Sequence, residues 1–125
     1  MSQHIPTAIT LHKQQRMLEL AFGEGEENCF KLPCEYLRVY SPSAEVRGHG
    51  PGEEKLQLGK EDVNIEKIEQ VGTYAIKLTY DDGHDSGIYD WNLLYDLSRN
   101  YLSYWQQYLD RLAAAGHQRK VIGSE

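Results

Sequence analysis

The sequence predicts an α+β domain of two layers, an antiparallel β-meander and an N-terminal hairpin covered by C-terminal helices. Three observations carry this. Residues Asn64 to Tyr89 fall into three runs parted by Gly72-Thr73 and Asp81-Asp82-Gly83, which is turn chemistry for tightly connected antiparallel strands. From Trp91 onward apolar residues recur at Leu94, Leu97, Tyr101, Trp105, Tyr108 and Leu112, the period of a helix that buries one face. The 125 residues are 40% apolar and 10% aromatic, enough for one hydrophobic core and too short for two.

The elements follow in chain order. Ala8-Ile9-Thr10-Leu11 and Met17-Leu18-Glu19-Leu20-Ala21-Phe22 flank the polar Lys13-Gln14-Gln15-Arg16, a hairpin pattern. The chain turns at Gly23-Glu24-Gly25, a short strand follows from Asn28 to Leu32, and Pro33 ends it. Cys34 to Tyr40 then reads as one or two helical turns. Ser41 to Gly59 holds two prolines and four glycines with little apolar matter, so a long surface loop is expected there. The meander strands are Asn64–Val71, Tyr74–Tyr80 and His84–Tyr89. In the middle one Ala75, Lys77 and Thr79 oppose Tyr74, Ile76, Leu78 and Tyr80, giving an apolar face that needs cover. Asp90 is placed to cap the covering helix, and Ser98-Arg99-Asn100 to split it. Leu102 and Tyr104, at the edges of the apolar arc, are the residues left for an interface. Residues 1–115 are expected to form the single domain. The tail 116–125, with nothing to bury beyond Gly116, is expected to be flexible.

Charge and motifs exclude several functions. Thirteen Lys+Arg stand scattered against 19 Asp+Glu, a net charge of −6, whereas a nucleic-acid binder needs clustered cations to neutralise phosphates. No window approaches the roughly 20 apolar residues of a membrane span, and Met1 to Pro6 lacks the cationic-then-apolar order of a secretory signal. A cytoplasmic protein without nucleic-acid or membrane partners is expected. Cys29 and Cys34 sit five apart, matching neither redox nor zinc-knuckle spacing, and read as reduced structural thiols. Phosphate-loop and nucleophile-elbow motifs are absent, and Gly48-His49-Gly50-Pro51-Gly52 lacks the strand-turn-helix context of a pyrophosphate cradle. The residues two beyond the five histidines are Pro6, Gln14, Pro51, Ser86 and Arg119, so no facial triad for iron can be written.

Two places remain. At the hairpin tip Asp81 to Gly87, carboxylates crowd an imidazole, so Asp82, His84 and Asp85 offer oxygen and nitrogen donors, with an ordinary turn as the plainer alternative. An exposed tip would give little burial to tune a general acid or base. In the glycine-rich loop, Arg38, Arg47 and His49 beside the Gly50 backbone could meet an anion, against solvated loop charges as the commoner outcome. The binding candidates are therefore Arg47, His49, Gly50, Asp82, His84 and Asp85. No catalytic residue and no cofactor are expected, the partner is an unidentified protein, and the chain is taken as a monomer.

Tyr36-Leu37-Arg38 leading into Ser41-Pro42-Ser43, and Asp82 through Trp91 followed by Leu94, resemble the gamma-butyrobetaine hydroxylase N-terminal-like domain family from about Ile9 to Leu97. The resemblance implies a domain found ahead of 2-oxoglutarate-dependent oxygenases of carnitine synthesis, appended to Mrp-type iron–sulfur carrier ATPases, or alone in small bacterial proteins. It places this chain with the stand-alone kind. It also implies a structural zinc held by Cys-x-Cys-x-x-Cys and a later His. Here the cysteine positions fall on Ser41, Ser43 and Val46, and the histidine on His84. A serine hydroxyl stays protonated near neutral pH and valine has no lone pair, so no zinc is expected there. A substitute site pairing His49 with His84 would need the loop to fold over the hairpin. The expected role is a non-enzymatic accessory or interaction module. The alternative is an iron- or zinc-binding protein serving iron–sulfur assembly or an oxygenase system.

Overall fold

The computed structural model describes residues 5–43, 46 and 56–119. Its elements are β1 (Ala8–His12), β2 (Met17–Ala21), a 3-10 turn (Glu26–Asn28), β3 (Cys29–Pro33), α1 (Cys34–Val39), β4 (Ile65–Val71), β5 (Ala75–Tyr80), β6 (Ile88–Asp90), α2 (Trp91–Arg99) and α3 (Tyr101–Ala114). They form two three-stranded antiparallel sheets, β1-β2-β3 and β4-β5-β6, with the helices packed against them.

In the first sheet Leu18 pairs with Leu32 and Leu20 with Phe30. Leu18, Leu20 and Leu32 face the core, while Thr10, Glu19 and Lys31 line up across the three strands on the opposite face. The β1–β2 connection closes with Arg16 at φ 53, a left-handed conformation that a non-glycine side chain adopts at some cost. The N-terminal hairpin is thus extended by β3 into a full sheet, because the Leu32 and Phe30 side chains complete the apolar face begun by β2.

The second sheet departs from expectation in two places. Tyr74 lies in the β4–β5 turn, where its N–H reaches the Val71 carbonyl at 3.4 Å, and it is 52% exposed. It precedes the strand and escapes the alternation, so Ala75, Ile76, Leu78 and Tyr80 make the buried set. The third strand is Ile88–Asp90, shorter than His84–Tyr89. After the turn at Gly83, at φ 92, the His84 carbonyl accepts from the Tyr80 N–H at 2.9 Å. The chain then leaves the ladder so that His84 points inward, and it rejoins at Gly87, whose carbonyl accepts from Leu78 at 3.4 Å.

Asp90 caps α2, its Oδ1 accepting from the Leu93 N–H at 2.7 Å, one of the otherwise unpaired donors of a helix start. The helices part at Asn100, whose side chain bonds back to the Asp96 carbonyl and carboxylate at 3.0 and 2.8 Å. Between the layers lies α1, all six of whose residues are buried. The Tyr36 hydroxyl donates to the Leu97 carbonyl at 2.7 Å, and its ring packs edge-on against Tyr40, Tyr101 and Trp105. One core joins both sheets through Leu18, Leu37, Ile65, Leu78, Tyr89 and Leu94, and a smaller cluster of Val39, Tyr108 and Leu112 continues it under α3. Both cysteines are free thiols, and burial pushes that of Cys34 up to about 11. Among the described residues no helix is long and apolar enough to cross a membrane.

Three further expectations are corrected. The first part of the presumed surface loop is interior, since Ser41, Ser43 and Val46 are all buried. Tyr104 is not free, because its hydroxyl bonds Asp96 at 3.0 Å and its carbonyl accepts from the Tyr40 hydroxyl at 2.7 Å; Leu102 does stand 82% exposed. Beyond Gly116 the chain still has something to bury, as Arg119 reaches back to Glu35.

Candidate functional site

The strand–turn from β5 to β6 and the segment after α1 meet at one corner. Pro33 starts α1 and Tyr40 ends it, so the chain emerges at Ser41 beside the β5–β6 connection. There Ser41 Oγ lies 2.9 Å from His84 Nε2, Ser43 Oγ lies 3.3 Å from the same nitrogen, and the two hydroxyls are 3.4 Å apart. Gly87 permits this closeness. A Cβ at Gly87 would stand 2.5 Å from Ser41 Oγ and 3.2 Å from the Tyr89 ring. Ser41 is fully buried, His84 is 5% exposed, and Val46 is buried with its N–H on the Ser43 carbonyl at 3.1 Å.

A second layer of polar contacts holds the turn. Asp82 Oδ2 accepts from Arg38 Nε at 2.9 Å and Lys60 Nζ at 2.7 Å, while Oδ1 accepts from the His84 N–H at 3.1 Å. Arg38 also donates to Gln57 Oε1 at 3.2 Å. Burial alone would raise the Asp82 carboxyl. The Lys60 ammonium, the His84 N–H and the Arg38 guanidinium outweigh it and hold the group down at about 2. Behind it the Tyr89 hydroxyl donates to the Leu37 carbonyl at 2.7 Å, which leaves Tyr80 to donate to Tyr89 at 2.7 Å. Burial pushes Tyr89 up to about 12 and Tyr80 well above its ordinary range, so both stay protonated.

Of the residues singled out from sequence, Asp82 and His84 adjoin each other, and Asp85 is exposed with no described side-chain bond. Arg47, His49 and Gly50 lie outside the described residues. The hairpin tip is exposed only in part, because His84 is drawn inside where exposure had been expected. Arg38 and Trp91 anchor the fold, the latter through Nε1–H to the Thr73 carbonyl at 2.8 Å. The pairing of Ser41 and Ser43 with His84 could be found in the sequence only through the family pattern. Lys60 and Gln57 carried no signal.

The arrangement sets limits on chemistry. Three of the four positions mapped to zinc ligands converge, yet one imidazole and two hydroxyls do not fit a zinc ion, whose structural sites use thiolates and imidazoles. Among the described residues no group of three His, Cys, Asp or Glu side chains is placed to hold a metal. A serine hydroxyl within hydrogen-bond reach of an imidazole is also the start of a nucleophilic dyad. Here Ser41 has no exposed surface and a Cβ at Gly87 would press on its hydroxyl, and the hydrogen bond to His84 ties the post-α1 segment to the hairpin.

Comparison with known proteins agrees with this picture. Two proteins solved in solution by NMR are 43% and 45% identical, with 99% of this chain covered in both, 98% and 92% of those chains, and TM-scores of 0.81 and 0.78. A crystal structure of a DUF971-family protein of unknown function from Acidithiobacillus ferrooxidans ATCC 23270 is 31% identical over 74% of this chain and 91% of that one, with a TM-score of 0.61. The Fe-S cluster assembly factor HCF101, chloroplastic, of Oryza sativa subsp. japonica is 30% identical over 83 residues, which is 65% of this chain and only 15% of that protein. The model of one family, described as gamma-butyrobetaine hydroxylase-like, N-terminal, matches residues 9–95. With α1, the serine–histidine corner, the second sheet and all of the first but Ala8 inside that match, the chain belongs to the gamma-butyrobetaine hydroxylase-like N-terminal family.

Proposed function

We propose that this chain is a non-enzymatic accessory domain that binds a protein component of iron–sulfur cluster assembly. The observation that carries this is the relation to HCF101: the shared stretch makes up 65% of this chain but 15% of a far larger assembly factor, as suits a portable unit attached to a machine that does the chemistry elsewhere. The enclosed serine–histidine pair supports the non-enzymatic part, since a nucleophile must be reached by its substrate. Asp85, which is exposed, and Arg47, His49 and Gly50, binding candidates on sequence grounds, are the residues we assign to contact. The metal-binding alternative draws no support from the described residues.

The test is size-exclusion chromatography of the purified chain mixed with an iron–sulfur carrier protein from the same cell. Co-migration is expected, weakened by Asp85→Ala or by Arg47→Ala with His49→Ala. Absence of a complex would overturn the reading. So would hydrolysis of p-nitrophenyl acetate that Ser41→Ala abolishes.

A further inference from the structure

At the end of the first sheet, away from the serine–histidine corner, lies a cavity of about 250 Å³ lined by Arg16, Met17, Glu35, Glu61, Val63 and Trp105, with Arg119 at its wall. Glu35 and Glu61 are only 5% and 8% exposed, unusual for carboxylates unless a cation meets them. The cation present is the chain's own. Arg119 Nε donates to Glu35 Oε2 at 2.8 Å, its Nη2 donates to Oε1, and Cζ stands 5.3 Å from the centre of the Trp105 ring. A two-pronged carboxylate and an aromatic face are the geometry that selects a planar guanidinium over an ammonium.

The tail is led there by its sequence. Gly116, at φ 75, ends α3 with its N–H on the Ala113 carbonyl at 3.0 Å, and the His117 N–H bonds the Leu112 carbonyl at 2.9 Å. That left-handed cap reverses the chain over α3. In the docked position His117 Nε2 is enclosed and makes no hydrogen bond among the described residues. Arg16, the other cation at the cavity, is engaged elsewhere, its Nε donating to the Asp62 carbonyl at 3.1 Å.

We propose that the Glu35–Trp105 side of this cavity is a receptor for a guanidinium group, occupied in the isolated chain by Arg119 and open to an arginine side chain of a partner peptide when the tail lifts away. Glu35 supplies the fork, Trp105 the stacking face and Glu61 the second negative charge. The tethered tail competes with any incoming arginine, so the resting chain is self-blocked.

The test uses the full chain carrying Arg119→Ala, titrated with N-acetyl-arginine amide while the Trp105 indole N–H resonance is followed by NMR. The variant should bind the probe and the wild type should bind it roughly 10-fold or more weakly, the tethered arginine acting at an effective concentration in the millimolar range. N-acetyl-lysine amide should bind the variant more weakly than the arginine probe. The probe should also raise the melting temperature of Arg119→Ala by more than that of the wild type, a readout that does not depend on the resonance. If Arg119→Ala does not fold, Arg119→Lys, which keeps the charge and loses the fork, takes its place in both measurements. Equal binding by variant and wild type, equal binding of the lysine and arginine probes, or no response to either probe would overturn the proposal.

Discussion

Substituting Asp82 by Asn removes the charge at the centre of the Arg38–Asp82–Lys60 contact and keeps the shape. The carboxyl sits at about 2 against an ordinary 3.8, and at about 1.4 kcal/mol per pH unit that difference corresponds to about 2 kcal/mol of folding free energy. The side chain is 22% exposed and that of Arg38 only 8%, so solvent screens the contact modestly. Leaving the Arg38 guanidinium buried without its anion adds to the loss, for a total of about 2–3 kcal/mol at pH 7. The sign follows from the direction: a carboxyl held low in the folded state contributes fully above the unfolded value near 3.8, and its contribution disappears as pH falls through about 2. Urea denaturation of wild type and Asp82→Asn at pH 7 should therefore differ by that amount, with a drop in Tm of about 5–10 °C. The gap should narrow steadily between about pH 4 and 2. A gap unchanged across that range, or one below about 0.5 kcal/mol at pH 7, would refute the view that ionised Asp82 fastens the turn to α1.

Other outcomes follow from the same geometry. Gly87→Ala puts a methyl against Ser41 and Tyr89 and should cost about 1–3 kcal/mol in urea denaturation. Gly83→Ala, strained by its φ of 92 but with open space around it, should cost about 1 kcal/mol. The triple substitution Ser41→Cys, Ser43→Cys and Val46→Cys supplies thiols at two positions beside His84 and at a third buried close by in the chain, and should yield one zinc per chain by elemental analysis, together with a raised Tm, while the wild type takes none. Leu102→Ser, at a residue 82% exposed, should leave stability within about 0.5 kcal/mol; Leu94→Ala, fully buried in the core, should lose about 2–5 kcal/mol.

What the chain declares locally, its sequence determined. Asp90 reads as a cap because a carboxylate before an apolar-periodic run meets a free N–H three residues on. Gly72 and Gly83 read as turns because they tolerate positive φ, and Asn100 reads as a break because it bonds back within its own turn. The two-layer class came from the strand and helix periods together, each of which depends on neighbours within a few residues. Tertiary structure decided the rest. His84 was legible as a titratable group on a turn, but its inward direction depends on Ser41, 43 residues away, and on the room Gly87 leaves. Glu35 and Arg119, 84 residues apart, meet only because a left-handed cap turns the tail over Trp105. That β3 joins β2 likewise depended on which apolar faces came together. Periodicity tells a side chain which face of its own element it occupies; only packing, a sum over residues distant in sequence, says what that face will touch.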